Sequence, residues 1–260
     1  MTTSEVLVDV DGGVATITLN RVERRNALTW TMIERLREVV QELRSDAEVR
    51  VVVLTGAGDR AFCAGADLTG MAAGPDHLAL HDSRGDLAEL FRALWALGKP
   101  TIAKVRGYAL AGGMGLALAC DLVVAADDAQ FGTPEIGVGL WPFVITVPLV
   151  RSMPPKKALE LMMTGRRVPA EEAERIGFVT KVVPAADLEA KVKELANDLA
   201  AKSPAVMRLG RDSFYAVWDQ PADDALRLLH TMLTVTSSTE DAAEGIAAFV
   251  EKRSPRWTGR

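Results

Sequence analysis

The run Val51-Val-Val-Leu-Thr55 constrains the fold more than any other feature of the chain. Five successive uncharged residues without polar alternation describe a strand buried on both faces, and such strands belong to sheets covered by helices on either side. A glycine-rich loop follows from Gly56 to Gly70, and residues 101–105 and 122–125 are further strand candidates. Between strands, Leu87, Leu90, Phe91, Leu94 and Leu97 fall at helical spacing before Lys99-Pro100 stops the helix. Short strands alternating with helices predict an α/β layered fold.

Residues 6–10 and 14–19 flank Asp-Gly-Gly and read as a hairpin near the chain terminus. Thr31-x-x-Glu34 offers a capping-box start for a helix carrying Met32, Ile33, Leu36, Val39, Val40 and Leu43. From Pro154 onward helices dominate, at about 156–164, 171–176, 187–201, 205–217, 222–236 and 239–252, with one strand at 179–183. A Ser238-x-x-Asp241 start signal opens the last helix. No low-complexity linker divides the α/β part from the helical part.

A chain of 260 residues can bury roughly three quarters of its unfolded surface, so a sizeable core is expected. Its net charge of −5, with 30 scattered Lys and Arg, leaves no broad basic face for nucleic acid. Two cysteines, Cys63 and Cys120, and three histidines cannot make a four-cysteine zinc site, and isolated thiols suit a reducing compartment. No leader pattern opens the sequence, and no uncharged run reaches the ~20 residues of a membrane span. A soluble, cytoplasmic protein is expected, and any catalysis would use carboxylates or backbone groups.

Gly56-Ala-Gly58-Asp-Arg-Ala61 fits a dinucleotide fingerprint, but the residues after it contain three glycines and a proline where that motif needs a helix. His77 and His81 are spaced as possible metal ligands on a helix, yet no third ligand accompanies them, and a polar surface is the simpler reading. Two glycine-rich loops, at residues 62–69 and 109–115, each follow a strand and can expose backbone N–H groups. Two such donors aimed at one oxygen form an oxyanion hole; tight turns are the alternative. Phe131-Gly-Thr-Pro-Glu135-Ile-Gly-Val-Gly139 sets a carboxylate in an apolar segment, where burial raises its pKa toward values useful for proton transfer.

Taken in order, Leu19-Asn-Arg-Val-Glu-Arg-Arg-Asn-Ala-Leu28, Ala61-Phe-Cys-Ala-Gly-Ala-Asp-Leu68 and Gly107-Tyr-Ala-Leu-Ala-Gly-Gly-Met-Gly115 resemble the crotonase (enoyl-CoA hydratase/isomerase) superfamily over nearly the whole chain. The resemblance implies a spiral of ββα units over residues 1–200 that binds acyl-CoA, and a C-terminal helical region, residues 201–260, that makes trimers or dimers of trimers. It implies a coenzyme A thioester as substrate, no separate cofactor and no metal. The N–H groups of Ala66 and Gly112 would hold the thioester oxygen as an enolate forms. Coenzyme A would lie near Arg24, Arg25, Ala64, Asp67, Leu68 and Thr69, with Phe249 and Lys252 reaching that of a neighbouring subunit.

The resemblance also exposes two departures. Hydratases of the family use two glutamates; Glu135 stands at one position and Gly115 at the other. One carboxylate suffices to move a double bond from the 3,4 to the 2,3 position, so isomerisation is expected over hydration. Decarboxylation, thioester hydrolysis and a non-catalytic acyl-CoA-binding protein remain as alternatives. Second, Gly139-Leu-Trp-Pro-Phe-Val-Ile145 puts Trp141, Phe143 and Ile145 where relatives carry small residues, implying an apolar and shorter acyl pocket or simply a repacked helix start.

Overall fold

The strand-strand-helix rhythm of the sequence is a spatial repeat. The computed structural model describes residues 4–67 and 77–260, excluding the side chains of residues 77–84. β1 (Val6–Asp11) and β2 (Val14–Leu19) precede α1 (Trp30–Ser45), and β3 (Val51–Gly56) and β4 (Ala61–Cys63) precede α2 (His77–Trp95). β5 (Thr101–Val105) and β6 (Tyr108–Leu110) lead to α3 (Gly112–Leu118). β7 (Leu122–Ala126) and β8 (Gln130–Gly132) lead to a 3-10 turn at Pro134–Val138 and α4 (Thr146–Ser152). After them come α5 (Pro155–Thr164), β9 (Arg167–Pro169), α6 (Ala170–Ile176), β10 (Lys181–Val183), α7 (Leu188–Ala200), α8 (Pro204–Val217), α9 (Ala222–Ser237) and α10 (Glu240–Glu251).

One sheet has the order β1-β2-β3-β5-β7-β10 and the other β4-β6-β8-β9. From the second ββα unit on, each unit therefore adds its first strand to the large sheet and its second to the small one, so the chain advances as a spiral. Among the described residues, only the hairpin pair β1–β2 and the pair β8–β9 run antiparallel. The expected burial on both faces explains β3: Val52 and Leu54 enter the main core, whereas Val51 and Val53 meet Leu188, Val192 and Ala196 of α7 on the opposite face. Among the described residues, no helix is long and apolar enough to cross a membrane.

Several local readings need correction. Thr29, not Thr31, caps α1: its Oγ1 accepts from Met32 N at 3.1 Å, while Thr31 is drawn to the Thr29 hydroxyl and Glu5. Likewise Thr239, not Ser238, caps α10 by accepting from Ala242 N at 3.1 Å. The strand at 179–183 shortens to β10 because Val179 N is held by Ala173 O of α6 at 3.4 Å, and the ladder to β7 runs only over Lys181–Val183. No helix follows Gly56-Ala-Gly58; the chain enters β4 instead, which removes the dinucleotide reading.

Candidate active site

β4, β6 and β8 lie side by side and parallel, so three successive turns of the spiral end at the same edge. Neighbouring strands are about 4.8 Å apart, which brings their carboxyl ends within roughly 10 Å of one another. Ligands bind outside the carboxyl ends of parallel strands. Here those ends lead into Ala64-Gly65-Ala66, Ala111-Gly112 and Thr133-Pro134-Glu135. A bond from Ala111 N to Gly132 O, 2.9 Å, ties the second segment to the third.

The first segment is stapled to the residues before α1. Ala64 N donates to Arg25 O at 3.0 Å, Leu28 N to Gly65 O at 2.8 Å and Asp67 N to Leu28 O at 2.8 Å. This short parallel bridge turns the N–H of Ala66 away from Leu28. Beneath it, Asn26 is 1% exposed; its Nδ2 donates to Ala57 O and Ala61 O, and its Oδ1 accepts from Arg21 N. Arg21 Nη1 donates to Ala27 O at 2.7 Å, and its guanidinium pairs with Asp67 at 3.0 Å and Glu5 at 2.8 Å.

The second segment opens α3. Ala111 precedes it with φ 50° and ψ −128°, a conformation costly for any residue with a Cβ, on the order of 1–3 kcal/mol. Such strain persists only where packing imposes it. A Cβ on Gly65, at φ 100°, would stand 2.7 Å from Ala111 Cβ, 3.1 Å from Leu110 O and 3.6 Å from Gly112 N. The absence of a side chain at Gly65 thus lets the two loops touch. Neither the N–H of Ala66 nor that of Gly112 donates to a described residue. At the start of α3, the helix dipole also favours negative charge beside Gly112.

Glu135 lies in the 3-10 turn, half-buried, and its Oε2 has no hydrogen-bond partner among the described residues. Burial raises its pKa above the ordinary glutamate value, and its own backbone N–H offsets this only in part. Thr133 Oγ1, in a fully buried residue two positions earlier, is also unpartnered. Buried polar atoms usually find a partner in protein, water or ligand, so both atoms are free to receive a group from outside the described residues.

The sequence matches the family model for enoyl-CoA hydratase/isomerase over residues 9–260. The chain belongs to the enoyl-CoA hydratase/isomerase family. It is 37% identical to a probable enoyl-CoA hydratase, echA8, of Mycobacterium tuberculosis over 262 residues, spanning 100% of both chains. It is 36% identical to a short-chain-enoyl-CoA hydratase of Clostridium acetobutylicum, covering 97% of each. The crystal structure of an enoyl-CoA hydratase from Mycobacterium smegmatis superposes with a TM-score of 0.95 at 36% identity, covering 98% of this chain and 99% of that one. The spiral of ββα units is accordingly the crotonase fold, and the protein is an enzyme of this family.

In this enoyl-CoA hydratase/isomerase family member, position 115 carries a glycine. That residue is buried in α3, and a Cβ built on it would stand 2.8 Å from Ile145 Cβ and 3.1 Å from Phe91 Cζ. Of the three bulky residues in 139–145, only Ile145 turns fully inward, at 3% exposed; Trp141 is half-buried and Phe143 is 76% exposed. Arg24 and Arg25 are exposed beside the first loop, and Phe249 and Lys252 are exposed at the end of α10. Asp67 is held by Arg21, which gives it a loop-bracing contact. Leu68 and Thr69 lie outside the described residues, as do the side chains of His77 and His81.

Sequence reasoning passed over Arg21, Asn26 and Ala111. The only signal was that Arg21 and Asn26 fall inside the segment of family resemblance, since nothing local shows that an arginine will meet an aspartate 46 residues away. Cys63 and Cys120 are buried, and burial pushes both thiols up to about 12, which suits packing rather than nucleophilic chemistry. Among the described residues, no group of three His, Cys, Asp or Glu could hold a metal.

Proposed function

We propose that this enzyme isomerises an enoyl-CoA thioester, moving its double bond from the 3,4 to the 2,3 position. The N–H groups of Ala66 and Gly112 hold the thioester oxygen while Glu135 takes a proton from C2 and returns it to C4. An α-proton beside a thioester is weakly acidic, and two fixed donors lower the barrier by stabilising the enolate oxygen. The dienolate formed from a 3-enoyl thioester carries charge at C2 and C4, so one carboxylate can serve both ends in turn. The carrying observation is Glu135 itself: a half-buried carboxyl with a raised pKa and an unpartnered Oε2, on a strand end shared with both donor loops.

Hydration is the second reading, favoured by the names of the relatives. It requires a group that orients and deprotonates water while a proton reaches C2, and Gly115 supplies no side chain for that. Coenzyme A would lie along Ala64, Asp67, Leu68 and Thr69, with its phosphates near Arg24 and Arg25; the acyl chain would run toward Trp141, Phe143 and Gly115, and no separate cofactor takes part. Residues 201–260 would assemble copies into a trimer or a dimer of trimers, with Phe249 and Lys252 near a neighbour's coenzyme A. The exposure of Leu226, Leu233, Ile246, Phe249 and Val250 supports such an assembly. We place the enzyme in the cytoplasm.

Separate incubations with 3-enoyl-CoA and 2-enoyl-CoA test the reading. Conjugation of the first with little hydration of the second supports isomerisation. Rapid water addition to the second, with the first unchanged, would establish the hydratase instead. Acyl-CoA affinity without turnover on either, or on any β-keto or malonyl-type thioester, would leave a binding protein.

A further inference from the structure

We infer that Ile145 is a specificity-determining residue that keeps the site from hydrating an enoyl thioester: with Phe91 it fills the space beside Gly115, one helical turn from the Gly112 N–H. The inference rests on the enolate chemistry proposed above and adds the side chain that decides where the enolate's reaction stops.

Residues three apart on a helix share a face, so position 115 lies on the same side of α3 as Gly112. A carboxylate there, or a water held there, would stand beside the acyl group whose oxygen Gly112 receives. The space is taken. The point a Cβ would occupy is 2.8 Å from Ile145 Cβ, an atom that moves only with the backbone, so no rotamer of Ile145 relieves the contact. β-Branching restricts the side chain further.

The backbone of Ile145 is anchored as well. It immediately precedes α4, where its carbonyl accepts from Leu149 N at 3.1 Å, and Leu149 is fully buried. Phe91, 2% exposed, closes the other side. A buried water needs two to four polar partners, and the atoms nearest this point, all from Ile145 and Phe91, offer none. Loss of a glutamate would by itself leave a hole that water could enter. Gly115 together with Ile145 forms a dry, filled wall, and each residue makes the other's replacement unfavourable.

The test measures hydration of 2-enoyl-CoA, isomerisation of 3-enoyl-CoA and the thermal midpoint in full-length wild type, Gly115→Glu, Ile145→Ala and the double variant. Gly115→Glu alone is expected to lower the midpoint and gain no hydration. The double variant is expected to melt above Gly115→Glu and to hydrate faster than Ile145→Ala by about 10²-fold, the lower range for an added acid–base group. Equal hydration by Gly115→Glu alone would overturn the inference, as would a folded double variant with no gain. Should the double variant fail to fold, Gly115→Ser with Ile145→Ala reads the same space: a gain over Ile145→Ala supports the role and no gain refutes it. A wild type that hydrates 2-enoyl-CoA and leaves 3-enoyl-CoA untouched would instead refute the isomerase reading, a result distinct from the variants' failure.

Discussion

Replacing Gly65 with alanine probes the contact between the two loops proposed to hold the thioester oxygen. The new Cβ would stand 2.7 Å from Ala111 Cβ, whereas carbon atoms settle at about 3.5–4.0 Å, so the loops must part by roughly 1 Å. Positive φ adds a strain of about 1–2 kcal/mol for a residue with a Cβ. The fold should survive, because the change lies at the edge of the small sheet. The oxyanion geometry should not. A displacement of about 1 Å costs on the order of 10²-fold in rate, so kcat for isomerisation should fall by about that factor while a saturated acyl-CoA still binds. Adding Ala111→Gly removes the opposing methyl and frees the strained φ of 50°, and should restore most of kcat. A folded Gly65→Ala enzyme with undiminished kcat would refute the claim that these loops jointly hold the reacting oxygen.

Two further predictions concern how the C-terminal helices are held. Arg211, 9% exposed, donates to Leu94 O at 2.7 Å, Trp95 O at 2.8 Å and Asp121 at 2.8 Å, joining α8 to the end of α2. Arg211→Met should cost about 3–5 kcal/mol in a denaturant titration by leaving Asp121 short of its cation; an unchanged midpoint would refute this. Asp241, 1% exposed, accepts from Ser203 Oγ at 2.5 Å, Thr258 N at 2.7 Å and Gly259 N at 3.2 Å, fastening the last residues of the chain. Burial opposes its charge, but these bonds overcome the penalty and lower its pKa below the usual value. A lowered folded-state value stabilises above the unfolded pKa and is lost as pH falls through the folded one. Asp241→Asn should therefore cost about 1–3 kcal/mol at neutral pH, with the difference from wild type vanishing in acid. A deficit that persists at low pH would point to packing instead of charge.

Legibility in the sequence followed length and burial. β3 and β7 could be read because each is buried on both faces, leaving a run of apolar residues, and β5 likewise apart from Lys104, which pairs with Glu189. β4, β6 and β8 have three residues each, too few for any period, and two of them lie within glycine-rich stretches. Their pairing is a tertiary outcome, yet they are the strands that assemble the site. Glu135 was conspicuous as a charge in an apolar segment. The Arg21–Asp67 brace was not, because its partners come from separate ββα units. The glycine at position 115 stood out only against the family resemblance, whereas the crowding of the space beside it by Ile145 depends on how α4 packs against α3.

The most direct measurement of the central claim is exchange of the C2 protons of 3-enoyl-CoA with deuterated water, followed against pH in wild type and in Glu135→Gln. The ionised carboxylate removes the proton, so the wild-type rate should rise with pH through a midpoint above glutamate's ordinary 4.5, in line with the raised pKa of Glu135. The variant should bind the thioester as before and lose about 10²–10⁴-fold in exchange. Exchange by Glu135→Gln at the wild-type rate, with the same pH dependence, would show that another group moves the proton and would contradict the account.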